Sequence, residues 1–168
     1  MQRSLLLVMG LILLMPACGY RFSGSGRLPG GARTISVLML ENRTAEIGIQ
    51  TQLNSDITYE VTRRDSSRIA RPEDADALLS GVVRAVRDTD IAHTGTSTAS
   101  QRRVTLMVDM KLERRDGTVL WRRDGLTDYE AYDVAANRSR TDLNRRAAIE
   151  KLSKRLAEHI YKSFTDDF

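Results

Sequence analysis

The sequence is poor in the residues that most often build reactive sites or cross-link a fold. It contains one cysteine, two histidines, three prolines and one tryptophan in 168 residues. A single cysteine excludes a disulfide within the chain, so a hydrophobic core has to hold the fold together. No zinc-binding spacing, phosphate-binding glycine loop or nucleophile motif accompanies His93 or His159. We therefore expect no catalytic residue, no metal site and no cofactor.

The chain also lacks an apolar run long enough to cross a bilayer, although a short one opens it. Residues 5–15 are apolar, follow Arg3 and lead into Met15-Pro16-Ala17-Cys18. Crossing about 30 Å of hydrocarbon takes about 20 residues, whereas a short apolar core behind a positive charge is typical of a secretory signal. The residues ending in Cys18 resemble the lipobox of bacterial lipoproteins. We predict a signal peptide at residues 1–17 and lipid attachment at Cys18; the alternative is an ordinary signal peptide with an incidental buried cysteine.

Attachment of lipid to Cys18 would decide where the protein resides. Bacterial lipoproteins resemble one another in carrying a diacylglycerol and, usually, a further acyl chain, which together give stable anchoring without a spanning helix. Gly19 follows the cysteine, whereas lipoproteins retained in the inner membrane often have Asp there. We expect the outer membrane of a two-membrane bacterium, with the body facing the periplasm. Residues 18–32 include five glycines and are predicted to be the lipidated N-terminus and a flexible tether.

Three apolar side chains, Tyr20, Phe22 and Leu28, interrupt this tether. They are expected to dock on the domain that follows, and docking on the membrane face is the alternative. That domain, residues 33–168, is long enough to bury one sizeable core. The whole chain has a formal net charge of +4 and a pI near 9.5, which favours anionic partners such as nucleic acid, lipid headgroups or phosphorylated glycolipid. In an exported protein, nucleic acid is the least expected of the three.

The first half of the domain changes its hydrophobic period once. Residues 33–40 are β-branched and apolar, and they predict a strand. From residue 45 to residue 64, apolar residues recur every four positions and predict a helix with one buried stripe. That stripe is formed by Ile49, Leu53, Ile57 and Val61.

The middle of the domain predicts three more strands. Residues 77–87 form the first of them, and the Thr-, Ser- and Asp-rich residues 88–100 predict a mobile loop. Residues 101–115 alternate apolar and polar side chains, which requires a sheet with one buried and one wet face. The Asp-Gly pair that follows is a hairpin turn signal. Residues 118–123 are therefore expected to return antiparallel, with Tyr132 as the furthest extent of that strand.

The chain ends in the second predicted helix. Ser139-Arg140-Thr141-Asp142 has the spacing of a capping box, and an apolar stripe continues from there to Phe164. Two helices with one stripe each and a sheet with one apolar face pack most economically in two layers. The predicted fold class is therefore α+β: a two-layer sandwich of two helices on a mostly antiparallel, mixed sheet of about four strands.

Basic residues gather at one end of the predicted sheet. If residues 101–115 and 118–123 pair across the Asp-Gly turn, five cations come close together. They are Lys111, Arg114, Arg115, Arg122 and Arg123. Guanidinium groups bind phosphates with paired donors, so this cluster is a candidate site for the head of a phosphorylated glycolipid. A solvated face offset by neighbouring acidic residues is the alternative interpretation.

Several stretches of the sequence resemble the lipopolysaccharide (LPS) assembly lipoprotein family, LptE. The most specific likeness lies in Cys18-Gly19-Tyr20-Arg21-Phe22 and Glu41-Asn42-Arg43-Thr44, with Leu28-Pro29 and residues 75–81 adding to it. The resemblance implies a two-helix, one-sheet lipoprotein that sits in the lumen of the outer-membrane β-barrel LptD. There it would plug the channel, assist barrel assembly and bind LPS on its way to the cell surface. The resemblance supplies no contact motif, so the five LPS-binding candidates rest on the basic strand end alone.

The residues also allow two other functions. One is a periplasm-facing lipoprotein that regulates or scaffolds the cell-wall synthesis machinery, a class with similar anchors and small α/β bodies. The other is an enzyme, whose activity would have to depend on His93 or His159. Co-purification separates the first from LPS assembly, because a peptidoglycan synthase and a β-barrel are different partners.

Overall fold

The computed structural model describes residues 28–65, 68–94 and 98–165. The predicted signal peptide, Cys18, Tyr20 and Phe22 lie outside these ranges. A single 3-10 turn, Pro29–Gly31, opens the described chain. The elements that follow it are β1 (Ile35–Val37), β2 (Glu41–Asn42), α1 (Ile49–Arg64), β3 (Ala77–Thr94), β4 (Thr98–Arg114), β5 (Val119–Asp133) and α2 (Arg138–Thr165).

The sheet is mixed and has five strands. β3, β4 and β5 are antiparallel neighbours, while β1 and β2 both pair with β3 in parallel. The strand predicted at residues 33–40 begins as β1 and then leaves regular pairing, although the Leu38 N–H still donates to the Leu79 carbonyl at 2.9 Å. Both helices cover the same face of this sheet. The predicted α+β sandwich is confirmed.

The alternation along β4 is the cause of the two layers. Every second side chain of the strand is buried, and those between them are only partly covered. The buried ones pack against the apolar stripes of both helices, and Trp121 of β5 meets Phe164 of α2 edge-on, with 5.8 Å between ring centroids. Removing this apolar surface from water is the main term that holds helices and sheet together. The buried residues of β4 are Val104, Leu106, Val108, Met110 and Leu112.

Gly81 makes room for a methionine on the covered face. It pairs with Met110 across β3 and β4. A Cβ atom at position 81 would overlap the Met110 sulfur and would lie 2.7 Å from the Asp109 carbonyl oxygen. A strand backbone cannot move aside without breaking its hydrogen bonds, so only glycine fits at this point of close approach.

The prediction of a mobile loop at residues 88–100 is wrong. β3 continues to Thr94 and β4 already begins at Thr98, so most of this polar stretch forms a paired hairpin. Asp90 lies opposite Arg102 in the ladder and accepts from its guanidinium at 2.7 Å. Cross-strand pairs of this kind stabilise strands that have little to bury. Such pairs join residues distant in sequence, so the composition of one segment does not reveal them.

Both helices begin at other residues than predicted. α1 begins at Ile49 and not at residue 45, because Gly48 adopts φ +85° and stands at the N-cap position. α2 begins at Arg138, ahead of the predicted capping box. The side-chain oxygen of Asn137 accepts a hydrogen bond from the Arg140 N–H at 3.4 Å. The Thr141 hydroxyl oxygen accepts one from the Ala135 N–H at 3.0 Å. Asn is as good an N-cap as Ser, so spacing alone did not distinguish them.

Arg145 of α2 ties the beginning of that helix to the sheet. Its guanidinium donates to Glu46, before α1, at 2.7 Å and to Asp88 of β3 at 3.0 Å. Asp88 also accepts from the Tyr132 hydroxyl at 2.8 Å. Burial and the hydrogen bond to Asp88 raise the pKa of Tyr132 to about 12. One cation therefore joins three separate segments of the fold.

Arg155 makes a second link further along α2. It donates to Asp128 at 2.7 Å, to Glu130 at 2.8 Å and to the Tyr129 carbonyl, all on the edge strand β5. Burial acts to raise the pKa of Asp128, but bonds from Arg155 and the Tyr129 amide hold it below its usual value. His159 lies 3.7 Å from the same carboxylate. The bond to the Tyr129 carbonyl occupies a main-chain group of an edge strand that a foreign strand would otherwise pair with.

Candidate functional site

One face of the sheet carries no helix, and we call it the bare face. It is lined by the side chains of β3, β4 and β5 that alternate with the buried ones. Its two ends are the hairpin end, at the turn between β4 and β5, and the tip end, at the turn between β3 and β4. From the hairpin end to the tip end, the bare face includes Ser80, Lys111, Arg122, Val82, Asp109, Met107, Thr127, Arg87, Thr105, Tyr129 and Arg103.

Two of the five predicted LPS-binding residues meet on the bare face. Lys111 and Arg122 are directly paired between β4 and β5, and both line a groove of about 370 Å³. Each has its own acidic neighbour: Lys111 lies 2.6 Å from Glu113, and Arg122 lies 3.0 Å from Asp124. Their charges are therefore partly neutralised within the protein, which weakens the attraction that they offer to an anion.

Two others, Arg114 and Arg115, point to main-chain groups at the hairpin end. Arg114 donates to the carbonyl of Gly30, in the segment that precedes β1. Arg115 donates to the carbonyl of Pro72 at 2.8 Å. A carbonyl carries no net charge, so both guanidinium groups keep their positive charge while they hold neighbouring segments in place.

Arg123, the fifth predicted residue, follows Arg122 on β5 and lies opposite Met110 in the ladder. Met110 is buried on the helix-covered side, so alternation directs Arg123 away from the bare face. The structure therefore brings Lys111 and Arg122 together and separates them from Arg114, Arg115 and Arg123. The prediction that these five residues bind LPS stays a prediction.

A second group of cations lies nearer the tip end of the bare face. Arg87, Thr105 and Tyr129 form one row across the three strands, and Arg103 stands in the next row. Neither Arg87 nor Arg103 has a carboxylate partner in the part of the chain that the structure describes. The Arg103 guanidinium lies 4.3 Å from the centre of the Tyr129 ring, and its Nε is buried without a hydrogen-bond partner.

This arrangement suits an anionic ligand that also carries hydroxyl groups. Guanidinium groups offer paired donors to phosphate or carboxylate, and Thr105, which carries a hydroxyl, lies between Arg87 of β3 and Tyr129 of β5 in their row across the sheet. Tyr129 is 53% exposed and presents an apolar ring with a polar edge. We call Arg87, Arg103, Thr105 and Tyr129 the arginine–tyrosine patch.

The sequence contains part of the signal for this patch, in the alternation of residues 101–115. The alternation of residues 101–115 already assigned Arg103 and Thr105 to the polar face. The strand predicted at residues 77–87 ends at Arg87 and a loop is predicted at residues 88–100, so no predicted register joins Arg87 to β4. Only the pairing of Arg87 with Thr105 and of Thr105 with Tyr129 brings the four residues together.

The other large concavity lies between the two helices, on the opposite side of the molecule. It has a volume of about 620 Å³ and is lined by side chains of both signs. Glu60 at its base is bound by Arg63 at 2.8 Å and by Arg64 at 2.9 Å. Charges that already satisfy each other leave little to recognise a ligand with, so this groove is the weaker candidate.

The described ranges contain neither a metal cluster nor a membrane-spanning helix. In residues 28–65, 68–94 and 98–165, no three His, Cys, Asp or Glu side chains come together as a metal site. Over the same ranges, no helix is both long and apolar enough to cross a bilayer. His93 belongs to β3 and His159 to α2, so the two histidines stand on different elements.

Comparison with protein families shows the family to which this chain belongs. The model of the family LptE, described as lipopolysaccharide-assembly, matches residues 32–163. The chain belongs to the LptE family of LPS-assembly proteins. The matched range holds all five strands and the residues at 41–44 and 75–81 whose likeness to LptE was noted above. Among curated protein sequences, none matches this chain.

Solved structures of bacterial lipoproteins share this LptE fold. Uncharacterized lipoprotein B from Nitrosomonas europaea has a TM-score of 0.62 at 10% identity, over 89% of this chain and 92% of its own. Rare lipoprotein B from Shewanella oneidensis has a TM-score of 0.55 at 8% identity, over 79% and 95%. A minor lipoprotein from Acinetobacter baumannii has a TM-score of 0.52 at 19% identity, over 80% and 92%. Because these identities are low, the likeness establishes the fold alone.

Proposed function

We propose that this protein is a lipid-anchored component of the outer membrane that partners the β-barrel LptD and binds LPS during its delivery to the cell surface. Membership of the LptE family supports the assignment to LPS assembly. The observation that carries the ligand assignment is the arginine–tyrosine patch, in which two arginines lack any carboxylate partner among the described residues.

Acylation of Cys18 is the proposed means of anchoring. The cysteine ends a short apolar run behind one positive charge, and no other thiol competes for that role. One acyl chain holds a protein only marginally at a membrane, but two or three hold it stably. Mass spectrometry of the mature N-terminus tests this directly, since a terminus without fatty acids would remove the outer-membrane assignment.

LPS offers the chemistry that the bare face can recognise. Its head carries phosphates on a sugar backbone, so it presents anionic groups beside hydroxyls and ring faces. Arg87 and Arg103 supply the paired donors, and Tyr129 supplies a ring that is half exposed. Lys111 and Arg122 lie further along the same face and offer two more cations, each partly neutralised by its own acidic neighbour. A molecule the size of LPS spans both groups.

The proposed position in a barrel lumen agrees with the character of the bare face. The lumen of an outer-membrane barrel is polar and water-filled. Apart from Val82 and Met107, the residues named on the bare face are charged or carry a hydroxyl, whereas those under the helices are apolar. A polar sheet face that no part of the described chain covers therefore suits contact with a polar barrel wall.

The first test measures LPS affinity. The double variant R87A/R103A loses charge-assisted bonds and is expected to bind LPS about tenfold more weakly or worse. R138A/R140A removes two exposed arginines of α2 that lie off the bare face, and its affinity is expected to stay unchanged. R114A/R115A/R122A/R123A tests the cluster predicted from sequence: weaker binding supports it, and unchanged affinity discards those sites.

Co-purification from detergent-solubilised outer membrane tests the partner. Recovery of an outer-membrane β-barrel with the protein supports LPS assembly. Recovery of a peptidoglycan synthase in its place would favour the alternative, a lipoprotein that regulates or scaffolds the cell-wall synthesis machinery. Depletion of the protein is expected to remove LPS from the cell surface.

A further inference from the structure

The segment before β1 is fixed to the hairpin end of the sheet. Leu28 is 5% exposed and belongs to the core, although it precedes the first strand. Gly30 sits beside Leu120 of β5, and its carbonyl accepts from Arg114. Gly30 has φ +63°, and a Cβ atom there would lie 2.7 Å from a Leu120 methyl carbon. Glycine is therefore required for this close contact.

Asp76 holds the other end of the same segment. Its carboxylate accepts the main-chain N–H groups of Arg33 at 2.8 Å and Thr34 at 3.1 Å. In return the Asp76 N–H donates to the Thr34 hydroxyl at 3.0 Å. The two main-chain bonds hold the pKa of Asp76 below its usual value. The point at which the N-terminal part of the chain leaves the body is therefore fixed at the hairpin end.

We infer that the hairpin end faces the phospholipid leaflet that holds the acyl chains, and that it contacts the anionic headgroups of that leaflet. The inference rests on the proposed acylation of Cys18. Leu28 lies ten positions after Cys18, and a fully extended chain spans at most about 35 Å over ten positions. β3 alone, with 18 residues, is about 60 Å long, so the tip end lies well beyond the reach of the tether.

The tether limits the distance, and the charges of the hairpin end favour contact. The Arg33 charge helps to lower the pKa of the nearby Asp76 carboxyl. Arg33 is exposed, and its side chain makes no salt bridge in the described part of the chain. The same holds for Lys162 in the last turn of α2. The hydrogen bonds of Arg114 and Arg115 are donated to neutral carbonyls, and the Arg114 charge also helps to lower the pKa of Asp116 at the turn. Each basic residue near an anionic leaflet contributes about 1 kcal/mol of attraction, so these cations favour an orientation with the hairpin end toward the leaflet.

Fluorescence quenching in vesicles tests the orientation. The full acylated protein is reconstituted in phosphatidylcholine vesicles that contain phosphatidylglycerol and a headgroup-labelled quencher lipid.

Acylated Cys18 cannot react, so a fluorophore attaches only to an introduced thiol. V119C lies at the hairpin end and I91C toward the tip end, and both replace exposed β-branched strand residues. We expect the label at position 119 to be quenched at least about threefold more strongly. Equal quenching, or stronger quenching at position 91, would overturn the inference.

Charge variants test the contact with headgroups. R33A/K162A removes two cations at the hairpin end and is expected to reduce the difference between the two labels. R138A/R140A removes the same charge at the tip end and serves as the matched control, which is expected to keep the difference. Vesicles without phosphatidylglycerol are expected to reduce the difference for the unmodified chain as well. If R33A/K162A behaves like the control, the headgroup contact is wrong.

The outcome is independent of the proposed LPS function. The vesicles contain neither LPS nor a barrel, so a protein that binds no LPS still reports its orientation. Mass spectrometry of the reconstituted protein shows whether Cys18 carries acyl chains, and it thereby separates a failed anchor from a wrong orientation.

Discussion

On the helix-covered face of the sheet, Arg145 and Arg155 each bind two carboxylates, whereas on the bare face Arg87 and Arg103 bind none within the described residues. The four arginines belong to the same two-layer body. They differ in the solvent around them and in the segments that surround them.

The difference follows from the cost of removing a charge from water. A cation between a helix and a sheet loses hydration, and only nearby carboxylates compensate for that loss. Glu46 and Asp88 do so for Arg145, which is only 25% exposed. An exposed cation such as Arg87 keeps most of its water and needs no partner to be stable. Arg103, whose Nε is buried, packs its guanidinium against the Tyr129 ring. An unpaired cation on an open face is therefore available to a ligand.

The largest effect is expected from two neighbours in β4. Leu106 is buried under the helices and Met107 lies on the bare face. L106A leaves a cavity in the core and is expected to lower the free energy of unfolding by about 3 kcal/mol. M107A is expected to lower it by about 1 kcal/mol or less, because its surroundings are partly solvent. Urea denaturation measures both, and similar losses for the two variants would mean that the bare face is covered as well.

A smaller effect is expected from the paired and unpaired arginines. R145A leaves Glu46 and Asp88 without their shared cation and is expected to cost about 2 kcal/mol of unfolding free energy. R87A is the matched control and is expected to stay within about 0.5 kcal/mol of the unmodified protein. Equal losses in thermal or urea unfolding would contradict the idea that only the covered face depends on ion pairs.

The smallest effect is expected in the change of unfolding free energy at low pH. The pKa of Asp128 is held below the ordinary aspartate value of 3.8 in the folded protein. A lowered folded pKa gives stability that is complete above the unfolded value and is lost as the pH falls through the folded one. Compared with D128N, the unmodified protein should therefore lose part of its advantage in unfolding free energy below about pH 3.8. An advantage independent of pH between 6 and 3 would show that Arg155 does not act through the Asp128 charge.

Local patterns predicted the covered side of the molecule well. The four-residue spacing of Ile49, Leu53, Ile57 and Val61 predicted one helix face, and all four are buried. The alternation of β4 predicted which of its faces is buried. These predictions held because burial acts on each segment in the same way, whatever its partner is.

The polar regions were predicted less well. At the tip end, where β3 and β4 pair, the sequence predicted a loop. Ladder hydrogen bonds and cross-strand pairs such as Asp90–Arg102 stabilise these strands in place of a hydrophobic pattern. The predicted basic cluster is divided, because Arg114 and Arg115 reach main-chain carbonyls from other segments. The arginine–tyrosine patch depends on the register of three strands. The pairing of β3 with β4 that sets it starts within residues 88–100, where the sequence predicted a loop.

The order of apolar and polar residues along the chain was sufficient to determine two helices, several strands and the side of each of these elements that is buried. Those properties depend on hydrophobic periods of two and of about four residues, which each segment carries by itself. Which cations are neutralised, which hold the N-terminal segment and which remain free was decided only when distant strands and helices met. Charge compensation acts over a few ångströms in space, and neighbours in space are set by the tertiary structure.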